Sequence, residues 1–94
     1  MAEHRVVLIT GAAGGVGQAT VQLFSEKGWR VIGVDRQEFS GDFPADGLFI
    51  QADIAESTNL EMIYAKASQF TPTLDAVVYN AAFSRSSVTV AEYR

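Results

Sequence analysis

Residues Thr10–Gly17 read T-G-A-A-G-G-V-G, with glycine at positions 11, 14, 15 and 17, directly after the apolar run Arg5-Val6-Val7-Leu8-Ile9. A short β-branched run reads as a buried strand. Downstream of the glycines, Val16, Ala19, Thr20, Leu23 and Phe24 fall at i, i+3, i+4, i+7 and i+8, the spacing of one apolar helix face. The most flexible residues of the chain therefore sit at a strand-to-helix turn. Lys27-Gly28 ends that helix, with a cation in the last turn and then a residue free to take positive φ.

The alternation continues. Trp29–Asp35 reads as a second strand, 39–47 as a loop with glycines, a proline and acids, and Leu48–Asp53 as a third strand. Thr58 and Glu61 have capping-box spacing. Leu60, Ile63, Tyr64 and Ala67, with Phe70 near the end, then form a second helix face, broken at Thr71-Pro72-Thr73. Leu74–Asn80 is a fourth strand. Strands alternating with helices predict an α/β fold, a parallel sheet with right-handed crossovers. The runs Val6-Val7-Leu8-Ile9 and Ala76-Val77-Val78-Tyr79 suit a sheet covered on both faces. The expected architecture is a Rossmann-type partial doubly wound sheet, βαβαβ plus a fourth-strand region, with residues 1–94 as one dinucleotide-binding partial domain.

Composition narrows the function classes. Hydrophobic residues make up 48% of the chain and charged residues 19%, which places it among globular domains. The net charge is −4 and no basic stripe exists, so no nucleic-acid partner is expected. No apolar run approaches the roughly 20 residues of a membrane helix, and the N-terminus lacks a signal-peptide layout. There is no cysteine, and the one histidine, His4, is terminal, so neither a disulfide nor a metal site is expected. These features together give a cytoplasmic reading.

The glycine loop has a chemical use at this position. N–H groups at a helix N-terminus point at an anion. Glycines let the backbone approach a pyrophosphate closely, since no Cβ intervenes. An acid about 20 residues on, at the end of the second strand, accepts hydrogen bonds from ribose hydroxyls. Asp35 stands 20 after Gly15 and closes the strand Val31-Ile32-Gly33-Val34. A tight turn and a strand-ending acid would explain the two features separately. Their joint placement favours a dinucleotide site.

Gly11, Gly15 and Gly17 give T-G-x-x-x-G-x-G, and here the chain resembles the short-chain dehydrogenase/reductase family. Ala52-Asp53-Ile54 after the third strand looks like that family's adenine-contacting acid and its neighbour. Asn80-Ala81-Ala82 after the fourth is similar to the family's N-A-G segment, with Ala82 in place of the glycine. Asp35-Arg36 sits where the family chooses between NAD and NADP. The resemblance spans essentially the whole chain, but only the N-terminal, cofactor-binding part of such an enzyme.

The resemblance implies that Gly11, Gly15 and Gly17 shape the pyrophosphate loop, with Val16 offering its N–H. Asp35 would bind the adenosine ribose and repel a 2′-phosphate. Asp53 would accept from the adenine amino group, Ile54 lending its backbone, and Asn80, Ala81 and Ala82 would border the cofactor. Arg36 could pair with a 2′-phosphate. Asp35 and the following Glu38, Asp42 and Asp46, with no Lys or further Arg among them, favour NAD over NADP.

No catalytic residue is assigned. The family uses a serine, and a tyrosine with a lysine four residues later that lowers the phenol pKa. Neither Lys27 nor Lys66 follows a tyrosine by four: Tyr64 leads to Ser68, Tyr79 to Phe83, and Tyr93 is one residue from the end. Ser84, Ser86 and Ser87 read as turn and cap residues. Thr89 and Glu92 have capping-box spacing, predicting a helix from about Val90. That would leave the fourth strand as an exposed apolar edge. The expectations are a chain truncated before the catalytic half, inactive alone, and covered by a homo-oligomer or a completing chain. The alternative is a non-catalytic dinucleotide-binding or scaffold module; fold does not decide between them.

Overall fold

A computed structural model describes residues 5–80 and the backbone of Val88–Glu92. The elements are β1 (Val6–Thr10), α1 (Gly15–Glu26), β2 (Arg30–Asp35), β3 (Leu48–Gln51), α2 (Ser57–Phe70), β4 (Ala76–Asn80) and β5 (Val88–Glu92). They build one sheet in the order β3-β2-β1-β4-β5. The first four strands are mutually parallel, as the alternating pattern predicts. The chain runs outward from β1 to β2 and β3, then returns past β1 to β4. Between β1 and β4 the strand order reverses, and a crevice at the carboxyl ends of the strands is expected there.

Alternate residues of β1 serve opposite faces. Val6 and Leu8 join Ile32, Val34, Ile50 and Val77 against Ile63 and Ala67 of α2. Val7 and Ile9 join Val31, Ala76 and Val78 against Val21 of α1. Each such side chain contributes roughly 1.5–3 kcal/mol when fully buried. A parallel β2–β3 connection needs a crossover of a dozen or more residues. Here it is the loop 36–47 rather than a helix. Phe39 and Phe43 of that loop take the place of helix side chains over this part of the sheet and pack on Phe49 of β3, with ring centroids 5.0–5.7 Å apart. Phe43 lies so close to the sheet that a Cβ on Gly33 would sit 2.7 Å from its Cε1.

Three expectations are corrected. The inward face of α1 is Gly17, Val21 and the half-buried Phe24, while Val16 (46% exposed) and Leu23 (53%) point outward. The helix turns to bring Gly17 against the Gly11–Ala12 backbone just past β1, and this close approach overrides the larger apolar stripe. The capping box at Thr58 does not form: α2 begins at Ser57 after Glu56, which makes no side-chain cap bond. Instead Asn59 Nδ2 reaches back 3.0 Å to Asp53 O. Leu60 and Tyr64 are exposed and line an apolar groove of about 430 Å³ with Ile63, Val34, Val77 and Tyr79.

The third correction concerns the end of the chain. Val88–Glu92 is a strand, not a helix, and pairs antiparallel with β4 from Ala76↔Glu92 to Asn80↔Val88. Val88, Val90 and the β-branched Thr89 suit extended backbone. The backbone groups of β4 thus have a partner on both sides, and the open β4 edge that motivated a homo-oligomer is absent. Ala81, Ala82, Ser84, Ser86, Ser87, His4 and Tyr93 lie outside the described residues.

The close approach at Gly17 is testable. A Cβ there would fall on Gly11 O and within 2.8 Å of Ala12 Cα, whereas a Cβ on Gly15 meets nothing within 4 Å. Gly17→Ala is expected to lower stability by about 1–3 kcal/mol, as overpacking against backbone does. Gly15→Ala should be neutral, or stabilising by up to about 1 kcal/mol. Urea unfolding followed by circular dichroism compares them; equal midpoints for the two variants would contradict this packing.

Candidate functional site

Because β1 to β4 are parallel, Thr10, Asp35, Gln51 and Asn80 all end at one edge of the sheet. At this end of the sheet a three-way connection joins β1, β4 and the glycine loop. The Thr10 hydroxyl accepts from Asn80 N–H at 3.1 Å and reaches Val78 O at 3.5 Å. Asn80 Nδ2 donates to Thr10 O at 2.8 Å. Thr10 is buried and Asn80 half-buried, so these bonds are partly shielded from water. The ladder stops at Ile9↔Val78, and the two side chains continue it by one step. Asn80 Oδ1 is buried with no protein partner among the described residues.

From Thr10 the chain turns sharply at Gly11, whose φ is +64°. A Cβ at that residue would be 3.0 Å from Asn80 Cβ, so both the dihedral and the space call for glycine. Gly14 N–H then donates to Gly11 O at 3.3 Å, closing a turn. Gly14 stands as N-cap of α1 with no side-chain cap. The N–H groups of the first helical turn, from Gly15, have no intrahelical partner and carry the positive end of the helix dipole. Gly15 and Val16 are exposed there.

Asp35 closes the other wall. Its Oδ2 accepts from Ala13 N–H at 2.9 Å and its Oδ1 from Gln37 N–H at 3.0 Å. The carboxylate is therefore laced to the glycine loop on one side and to the exit of β2 on the other. Arg36 is exposed, and its carbonyl accepts from Gln51 Nε2 at 3.2 Å. Next along the edge, Ala52 N–H donates to Asp35 O at 2.8 Å, so the chain beyond β3 stays beside β2. Asp53 turns its carboxylate onto Ala55 N–H at 2.9 Å, an Asx turn that leads into α2. Ile54, 37% exposed, borders the apolar groove.

Gly11, Gly15, Val16, Gly17, Asp35 and Asn80 thus lie together at the carboxyl ends of the strands, beside the point where the strand order reverses. Asp53 and Ile54 stand along the same edge, beyond β2. Three contributors carried no assignment in the sequence reading. Thr10 joins β1 to Asn80, Ala13 donates to Asp35, and Gln18 Nε2 holds Ala13 O at 2.9 Å. Thr10 is the only polar residue in β1, and a lone hydroxyl at the end of a buried strand is a legible signal. Ala13 acts through its backbone and leaves none. Among the described residues no group of three or more His, Cys, Asp or Glu converges. No helix there is long and apolar enough to cross a membrane.

The arrangement offers backbone donors to an anion and, about one strand away, a carboxylate to a diol. Known proteins resemble the chain in sequence and in fold. The short chain dehydrogenase family model matches residues 5–93. An uncharacterized oxidoreductase of Schizosaccharomyces pombe is 40% identical over 79 residues, covering 84% of this chain and 30% of that protein. An NAD-dependent glycerol dehydrogenase of Listeria innocua is 35% identical over 82 residues, covering 82% of this chain and 32% of that protein. A solved short chain dehydrogenase from Leptospira borgpetersenii with bound NAD+ matches with a TM-score of 0.78 at 27% identity, over 88% of this chain and 33% of that one. The chain spans about a third of the length of these relatives. By motif, by fold and by this match along nearly its whole length, the chain belongs to the short-chain dehydrogenase family.

Proposed function

We propose that the chain is the NAD-holding part of an oxidoreductase that moves hydride between the nicotinamide and an alcohol or ketone. The observation that carries this reading is the pairing of an uncovered first turn of α1 with a carboxylate fixed at the end of β2. The residues present fit a dinucleotide. Nothing stands within 4 Å of a Cβ on Gly15, leaving open the approach a pyrophosphate needs. Each Asp35 oxygen accepts one backbone N–H and keeps lone-pair capacity for a ribose hydroxyl.

In this reading Gly15, Val16 and Gly17 present N–H groups to the pyrophosphate, and Gly11 and Gly17 keep the loop's shape. Asp35 receives the adenosine ribose and disfavours a 2′-phosphate, with Arg36 beside it. Asp53 and Ile54 address the adenine, and Asn80, Ala81 and Ala82 border the rest of the cofactor. When bound, NAD supplies the hydride acceptor. The choice of NAD over NADP is supported by Asp35, by the NAD dependence of the Listeria glycerol dehydrogenase and by the NAD+ bound in the Leptospira structure. A cytoplasmic setting goes with this cofactor.

Turnover needs residues this sequence does not pair: no lysine follows a tyrosine by four. The chain alone is proposed to bind without catalysing, and to act with further polypeptide, a second copy or a completing chain. The exposed Val16 and Leu23 on one face and Leu60 and Tyr64 on the other support such a covering.

Calorimetric titration tests the binding site. Gly15→Val is expected to abolish NAD binding by placing a branched side chain in the phosphate approach. Asp35→Ala should weaken NAD about tenfold to a hundredfold, as expected for losing hydrogen bonds to a charged group, and NADP much less. NAD affinity unchanged in both variants, or no NAD binding by the wild-type chain, would contradict the reading.

Activity gives a separate test. A positioned acid–base group contributes typically about 10²–10⁴-fold. The purified chain should show no NAD reduction with a panel of alcohols and no NADH oxidation with ketones. Turnover that co-purifies with the chain through successive columns would contradict it.

A further inference from the structure

Loop residues 11–14 belong to no ladder and no helix, yet their shape decides where the first N–H groups of α1 point. Five hydrogen bonds hold them, one of which is the first bond of α1, from Gln18 N–H to Gly14 O at 2.8 Å. Ala12 N–H donates to Val34 O at 3.2 Å and Gly14 N–H to Gly11 O at 3.3 Å. At the middle of the loop, both backbone groups of Ala13 are taken by side chains: its carbonyl by Gln18 Nε2 and its N–H by Asp35 Oδ2. Only the last is charge-assisted, and such bonds are roughly twice as strong as neutral ones. It is also part-buried, at 2.9 Å.

We infer that Asp35 is a positioning residue for the phosphate loop, a role distinct from reading the ribose. The carboxylate suits this because it is held at both ends. Gln37 N–H fixes Oδ1 at 3.0 Å, so Oδ2 cannot leave Ala13 by rotation without breaking a second bond. The anchor is rigid as well: Asp35 is the last residue of β2, paired to Gln51 of β3. One carboxylate thereby couples two properties of the site. Changing it to alter ribose preference also releases Ala13, and with it the turn that aims the α1 amides. The coupling to ligand rests on the dinucleotide reading above; the hold on Ala13 does not.

Charge and position can be separated by two neutral replacements. Asp35→Asn and Asp35→Ala both remove the negative charge that repels phosphate. Asparagine can keep its one amide oxygen at Ala13 N–H while giving up the bond to Gln37 N–H, whereas alanine keeps neither. Amide hydrogen exchange of the ligand-free chain, read by NMR, reports the hold directly. Ala13 is expected to be protected in wild type, within a few-fold of that in Asp35→Asn, and to exchange about tenfold faster in Asp35→Ala, the change expected from losing one such bond. Equal Ala13 exchange in all three overturns the inference.

Inorganic pyrophosphate, which has no ribose, supplies the second readout. It is expected to bind Asp35→Asn about threefold to tenfold more tightly than Asp35→Ala, for the same reason. Equal pyrophosphate affinities for the two variants overturn the coupling to ligand. Ala13 protection that separates as expected, in a chain that does not bind NAD, supports the hold and counts against the dinucleotide reading alone.

Discussion

The carbonyl oxygen of Gly11 lies where the Cβ of any other residue at position 17 would have to be. This one contact decides how far the first turn of α1 can descend onto the end of β1. It explains the rotation of α1, which turns Gly17, Val21 and Phe24 inward and leaves Val16 and Leu23 outside. It also holds the uncovered amides of that turn above the point where the strand order reverses. A larger residue would lift the first turn of the helix away from the Gly11–Ala12 backbone.

Around that contact the strand ends are joined by side chains rather than by further ladder. Thr10 and Asn80 extend the β1–β4 pairing past its last register position. Asp35 extends the β1–β2 side by receiving Ala13. Ordering a loop costs roughly 1–2 kcal/mol per residue in backbone entropy. With these bonds in place, much of that ordering is complete before a ligand arrives, which is the general basis of preorganised affinity. Fold and site are thus linked by few residues: the glycines set the shape of the loop, and Thr10, Asn80 and Asp35 hold it.

Much of this was legible in the sequence. The continuous apolar run Val6–Ile9 and the alternation of strands with helices led to a parallel sheet, and the glycine cluster and the acid 20 residues after Gly15 fall at the carboxyl ends of its strands. The outward-facing Leu23 was not legible, because hydrophobic spacing weighs side-chain size and cannot see that Gly17 must face inward. The strand at Val88–Glu92 was missed for a related reason. Thr89 and Glu92 have the spacing of a helix cap, but Val88 and Val90 lie opposite Asn80 and Val78, and non-local pairing overrides a local signal. Ala13 was invisible because its contribution is a backbone N–H, which every residue but proline has.

The central claim is that an anion meets this chain at the first turn of α1, between the Gly11 turn and Asp35. The most direct measurement is a titration of isotopically labelled chain with NAD, followed by amide NMR. The account predicts the largest shift changes at Gly15, Val16 and Gly17, with smaller ones at Ala13 and Gln37, and little change along Leu60–Ala67. Shifts concentrated on the apolar groove beside α2, with the glycine-loop amides unmoved, would contradict it.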